Sequence, residues 1–194
     1  SGDIGPPHKD LQALPSGPAG VDYLFSESTY GDRARPALTP EQRRAALKAE
    51  IATGLDAGGL ILIPAFAVER TQELLVDLVG LMERGEVPAA PIFLDSPLAI
   101  HATEVFRKHA ASLDDDVDIN KIFNSPHLRF TETVSESKAI AKLTGFHIVI
   151  AASGMCDAGR IRHHLKRWLW NERATVLLVG YQANGTLGRF LQEG

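Results

Sequence analysis

Five short segments hold the residues best suited to chemistry: "SESTYGD" (26–32), "PAFAVER" (64–70), "DSPL" (95–98), "ASGMCDAGR" (152–160) and "GYQANGTLGR" (180–189). They are rich in glycine, hydroxyls, carboxylates and arginine. Amides freed by glycine turns, hydroxyl groups and a guanidinium are what hold a phosphate, above all where a helix begins. In "SGMCDAGR", Ser153 and Gly154 would offer amides and Arg160 a cation; in "NGTLGR", Gly185, Thr186, Gly188 and Arg189 repeat the theme. Neither is a P-loop, because the lysine and the spacing are missing, and no G-x-G-x-x-G follows a strand pattern. For either loop alone, tight turns with solvated arginines explain the residues equally well. Together, on one edge of one sheet, they favour an anion.

Glu27, at the end of the apolar run "VDYLFSE", is the best acid/base candidate. Its plainer role is acceptor in a turn. Asp95, before Ser-Pro, reads as an N-cap or turn residue. In "RIRHHLKRW", His163 and His164 point about 100° apart on a helix and cannot chelate one ion side by side. That segment reads as a basic solvated face with one histidine packed beneath it. Arg160, Arg162, Lys166 and Arg167 make contact with a nucleic-acid backbone a sharper alternative. No H-x-H, H-E-x-x-H, C-x-x-C or G-x-S-x-G occurs, so spacing alone builds neither a metal site nor a nucleophile elbow. Asp3 in "SGDIG" is then a turn residue or one member of a site whose other members lie elsewhere.

The elements that must position these residues alternate. "VDYLFSES" (21–28), "LILIP" (60–64), "PIFLD" (91–95), "LRFTE" (128–132), "FHIVIAAS" (146–153) and "ATVLLVGY" (174–181) read as strands. Helical patterns separate them. One begins with Thr39 as N-cap, Pro40 in the first turn and Gln42 closing a capping box, and stops at Gly58 and Gly59. Another places Val68, Leu74, Leu75, Leu78, Val79 and Met82 on one stripe. Helices follow over 97–110, "SESKAIAKL", "AGRIRHHLKRWLW" and the segment after "NGTLGR". Such alternation predicts an α/β fold with a mainly parallel sheet covered by helices on both faces, and the chemistry-bearing segments fall at the carboxyl ends of its strands.

Composition sets the outer bounds. With 194 residues, 44% hydrophobic, the chain fits one globular domain or a little more. Its net charge of −4 argues against a broad nucleic-acid-coating surface while leaving room for a local basic groove. No apolar run approaches the roughly 20 residues of a membrane helix, and a lone cysteine, Cys156, suits a reducing cytoplasm.

The segments "SGDIG", "ESTYGDR", "PAFAVERTQELL", "IFLDSPLAIHATEVF", "AASGMCDAGRIRHHL" and "GYQANGTLGR" resemble, in order, the β-CASP family of metallo-β-lactamase-fold nucleases. The branch is that of the endonuclease subunit of the cleavage and polyadenylation factor and its bacterial and archaeal relatives. The resemblance implies an RNA phosphodiester hydrolase using two zinc ions. Asp3 resembles the aspartate bridging the zincs, and Glu27 the acid that orients a proton-donating histidine. The same resemblance nominates Arg70, Ser153, Gly154, Arg160, Tyr181, Gln182, Gly185, Thr186 and Arg189 as contacts to RNA or its phosphates. The family's H-x-H-x-D-H motif and its later "SAH" and "HGE" histidines are absent from the chain. The expectation is therefore an internal fragment, residues 1–35 from the edge of a metallo-β-lactamase domain and 36–194 forming the β-CASP domain. Such a fragment needs the remaining lactamase segments as its partner, binds zinc poorly and is inactive alone. A non-catalytic RNA-binding or scaffolding module is the alternative, and a homo-oligomer is left open. Members of that family usually have glycine where this chain has Glu69, and a carboxylate beside Arg70 is expected to weaken phosphate binding.

Overall fold

The computed structural model describes residues 11, 17–32, 38–113 and 117–194. Among them, twelve elements alternate: α1 (Pro40–Asp56), β1 (Leu60–Pro64), α2 (Arg70–Glu83), β2 (Ile92–Leu94), α3 (Pro97–Lys108), α4 (Ile119–Phe123), β3 (Leu128–Phe130), α5 (Val134–Ile140), β4 (His147–Ala151), α6 (Ile161–Trp168), β5 (Thr175–Val176) and α7 (Leu187–Glu193). A short 3-10 turn, Ala110–Ser112, follows α3. The strands form one sheet in the order β3-β2-β4-β1-β5, with every pair parallel.

Alternation along each central strand sorts the core into two halves. Ile61, Ile63, Ile92, Leu94, Ile148 and Ile150 face a larger cluster with α1, α2 and α4. Leu60, Leu62, Val149 and Ala151 face a smaller one with α5 and α6. Burial on both faces is why β1 and β4 read as unbroken apolar runs. The capping box at Thr39 is present, with Thr39 Oγ1 accepting from Gln42 N–H and Gln42 Oε1 accepting from Thr39 N–H. Gly58 leaves α1 at φ +70. Arg43 and Arg44 converge from α1 on the buried Asp77 of α2, with Nε–O distances of 2.8 and 3.0 Å.

Three expectations need correction. Residues 21–28 form no strand. No neighbouring strand pairs with them among the described residues, and Val21, Tyr23, Leu24 and Phe25 stand exposed. Val68 lies outside the α2 stripe, exposed ahead of a helix that starts only at Arg70. The strand expected over 174–181 stops at Val176, with one further bond from Leu177 N–H to Leu62 O. The next rung would need an N–H from Pro64, which has none, and a proline facing an edge strand ends the ladder there.

His147 begins β4 fully enclosed. Its Nδ1 lies 2.9 Å from Gly145 O, while Nε2 has no partner. Burial and the nearby His164 outweigh the Gly145 bond and hold the imidazole below its ordinary pKa. It is therefore a neutral structural histidine.

Candidate nucleic-acid interface at the carboxyl edge of the sheet

Strands β1 and β4 are neighbours, yet β1 leads into α2 on one face and β4 into α6 on the other. Their outgoing connections leave toward opposite faces, the switch point at whose crevice open parallel sheets bind ligands. Phe66 stands in the β1 loop at this point, 44% exposed. A Cβ on Gly154 would lie 2.9 Å from its ring and 3.1 Å from its amide nitrogen, so only glycine lets the two loops approach this closely. Gly180, beyond β5, borders the same ring. Phe66 escaped the reading of the sequence because an aromatic after an apolar strand looks like more core. Its signal was the pair of glycines in the opposing segments.

The 152–160 loop closes on itself. Ser153 N–H donates to Ala158 O, Ala158 N–H donates to Ser153 Oγ, and Cys156 N–H donates to Ser153 O. The Ser153 groups expected to meet an anion are thus engaged in shaping the turn. Gly159 has φ +75, and a Cβ there would run into the Ala152 carbonyl oxygen. Cys156 is buried at φ +66, and burial, with Asp157 beside it, pushes its thiol up to about 11. It is no nucleophile at neutral pH.

Asp95, expected as a cap, is instead the hub of this edge; the cap is Ser96, whose Oγ accepts from Ala99 N–H. The Asp95 carboxylate is fully buried. Oδ1 accepts from Arg160 Nη1 and Thr131 Oγ1, each at 2.7 Å. Oδ2 accepts from Ser137 Oγ at 2.6 Å and lies 2.7 Å from His164 Nε2. Burial alone would raise its pKa, but these bonds from His164, Ser137, Thr131 and Arg160 together hold it at about 2. One aspartate so ties β2, β3, α5 and α6 together. Arg160 also donates to the carbonyls of Thr131 and Glu132, and its side chain is 18% exposed. An anion would have to compete with Asp95 for it. His164 is the packed histidine and His163 the exposed one, as their helical spacing requires.

The 180–189 segment locks against the 152–160 loop. Gln182 is buried, and its Nε2 donates to Gly154 O at 2.9 Å and Gly180 O at 3.2 Å. Its Oε1 lies against Gly188, where a Cβ would collide with it. Gly188 N–H donates to Met155 O and Leu187 N–H to Asp157 Oδ1. Thr186 caps α7, accepting from Arg189 N–H, and Gly185 takes φ +82 in open space. Gln182 is thus a fastener within the loop pair, while Gly185 and Tyr181 remain at its surface.

Tyr181 meets Tyr30 edge-on, with ring centroids 5.4 Å apart, which brings the segment carrying Glu27 to this edge. Glu27 is exposed, and its Oε2 accepts from Thr29 N–H at 2.8 Å. Bonds from the Thr29 backbone and side chain lower its pKa, so at neutral pH it is an acceptor and not a proton donor. Asp3, the expected zinc ligand, lies outside the described residues. A zinc centre requires several His and carboxylate ligands converging on each ion. Among the described residues no three His, Cys, Asp or Glu side chains do so, and they do not fit a two-zinc site by themselves.

Arg70 and Arg189 complete the cations. Arg70 Nη1 pairs with Glu73 at 2.7 Å and Arg189 Nε with Glu193 at 2.6 Å. Their side chains are 43% and 29% exposed, which leaves Arg70 the most accessible of the three arginines expected at this edge. Just before it, Glu69 takes φ 72 and ψ −68, with Arg70 N–H bonded to Val68 O across it. A side chain in this tight turn is strained by about 1–3 kcal/mol. Replacing Glu69 with glycine is expected to raise unfolding stability by about 1 kcal/mol, after the extra chain entropy glycine loses. A urea titration reads this directly as a higher midpoint, and an unchanged or lower midpoint would contradict it.

Residues 71–191 match the Beta-Casp domain family. A ribonuclease of Thermus thermophilus is 38% identical over 193 residues, covering 97% of this chain and 44% of the relative. The transcription termination factor FttA of Methanosarcina mazei is 32% identical over 90% of this chain and 28% of its own length. The endoribonuclease ysh1 of Schizosaccharomyces pombe is 32% identical over 89% of this chain and 23% of its own length. The chain therefore spans less than half the length of each of these relatives.

Proposed function

Because the chain belongs to the β-CASP family of nucleases, we propose that it is the RNA-binding insert of a zinc-dependent ribonuclease, with its carboxyl-edge loops gripping the RNA backbone. In this reading residues 36–194 form the insert, and residues 1–35 belong to the adjoining lactamase domain. Other segments of a longer polypeptide supply the remaining metal ligands. When bound, zinc would supply an activated hydroxide. This chain's own residues do different work: they hold and orient the strand to be cut.

The observation that carries the reading is the meeting of the connections after β1, β4 and β5 around Phe66 at the switch-point crevice, with Arg70, Tyr181, Gly185 and Arg189 carried on the first and last of them. An exposed ring beside accessible cations suits alternating bases and phosphates. Gln182, bonded to the carbonyls of Gly154 and Gly180, fixes the loops around Phe66 before RNA arrives, which lowers the ordering cost of binding.

End-labelled single-stranded RNA incubated with the chain tests this. Saturable binding is expected, weakened several-fold by Arg70→Ala and by Arg189→Ala. The salt slope should flatten by about 0.7 for each phosphate left without its arginine. No cleavage is expected from the chain alone, with or without added zinc. Absence of binding would refute the RNA-insert reading, and cleavage by the isolated chain would refute its dependence on other segments.

A further inference from the structure

Helix α6 has a second surface that the carboxyl-edge site does not use. Ile161, His164 and Leu165 are buried and Trp168 is packed against the smaller core cluster. Arg162, His163, Lys166, Leu169 and Trp170 recur at the spacing of one helical face and are all exposed. An open groove of about 980 Å³ runs along this face. It starts at the carboxyl edge, between Asp157 and Leu187, and passes down α6 to Trp170.

The groove's chemistry is selective. From Ile161 to Trp170 the sequence contains no carboxylate, in a chain whose net charge is −4. The side chains of Lys166 and His163 have no hydrogen-bond or ion-pair partner among the described residues. Arg162 spends one N–H on Asp157 O at 3.3 Å, and its other donors are not fixed by that bond. Asp157 is the one acid lining the groove, and its Oδ1 accepts from Leu187 N–H. Trp170 is 77% exposed, a large apolar ring left in water at the end of a cationic stripe. Arg162 and Lys166 are separated by about 6 Å along the helix axis, close to the repeat of successive phosphates in an extended strand. Cations tracking a backbone beside an aromatic platform are the elements of single-strand recognition.

We propose that the outer groove of α6 is a second RNA track, holding phosphates on Arg162 and Lys166 and stacking a base on Trp170, outside the switch-point crevice. The inference rests on RNA being the ligand of this chain but not on the carboxyl-edge loops. A strand seated in the crevice would continue into the groove past Asp157 and Leu187.

The test is binding of an oligouridylate of about 12 nucleotides, followed by tryptophan fluorescence and by titration at several salt concentrations. RNA should quench the emission of the parent chain, and Trp170→Phe should remove most of that quenching. Trp170→Ala should weaken binding about tenfold. The double variant R162E/K166E should weaken it by more than tenfold and flatten the salt slope by about 1.4. All three positions are exposed, so circular dichroism should match the parent, confirming intact folding. If these variants bind like the parent while Arg70→Ala binds more weakly, the groove proposal falls and the crevice reading stands. If the parent binds no RNA, both fall. If polyglutamate competes for the groove as well as oligouridylate does, the groove is a general anion surface and the RNA assignment is overturned.

Discussion

Replacing Asp95 with alanine is expected to destabilise the chain by about 3–5 kcal/mol, the usual cost of removing one partner from a buried charge pair. Four donors lose a bond to Asp95 at once: Arg160, Thr131, Ser137 and His164. Arg160 and His164 are held at 18% and 5% exposure, so water cannot readily replace the missing bonds. Asp95→Asn keeps the volume and most of the acceptor geometry but leaves the Arg160 charge uncompensated; a smaller cost of about 1–3 kcal/mol follows. The linkage to pH has a definite sign. The folded pKa of about 2 lies below the ordinary value of 3.8, so in the acid range the unfolded chain binds the proton more readily. The stabilisation is fully present above the ordinary carboxylate range and is lost as pH falls through about 4 towards 2, roughly 2 kcal/mol in all. Urea midpoints measured from pH 7 down to pH 3 should show this acid limb in the parent and its loss in Asp95→Asn. An Asp95→Ala chain within about 1 kcal/mol of the parent would show that Asp95 is no hub.

Gly188→Ala is the second large effect, with an expected loss of about 2–4 kcal/mol. The new methyl would meet Gln182 Oε1 and approach Met155 O at 3.1 Å. Gln182 cannot simply swing aside, because it is buried and its Nε2 is bound to two carbonyls. Displacing it would break the fastening between the 152–160 and 180–189 loops, and RNA binding should fall along with stability. A double-mutant cycle isolates the cause. Gln182→Ala removes the obstructing amide, so the double variant should be at least about 1 kcal/mol more stable than the sum of the single effects. Strict additivity would show that Gly188 is required for some other reason.

Much of this architecture was legible from local pattern. The capping box at Thr39, the apolar strands β1 and β4 and the split of His163 from His164 all follow from residues close in sequence. The hub was not legible. Partners of Asp95 lie 36, 42, 65 and 69 residues further along the chain, and nothing adjacent distinguishes it from a cap. The same distance effect reassigns Arg160: read beside "SGMCDAG" it suits a phosphate, whereas the fold directs it to a buried carboxylate. Gln182 was visible as part of a polar loop, but its fastening role depends on Gly154 and Gly188 meeting around it. The failed strand at 21–28 has the complementary explanation. Apolar alternation signals the capacity to pair, and pairing requires a neighbour. Glu69 shows the converse, a residue whose left-handed backbone marks a position better suited to glycine.

Hydrogen–deuterium exchange of the chain with and without single-stranded RNA tests the central claim most directly. RNA-dependent protection is expected in the carboxyl-edge loops, 65–69, 153–159 and 180–188, with no change in the amino-edge connections 86–91 and 142–146. Protection confined to those amino-edge connections, with the carboxyl-edge loops unchanged, would contradict it.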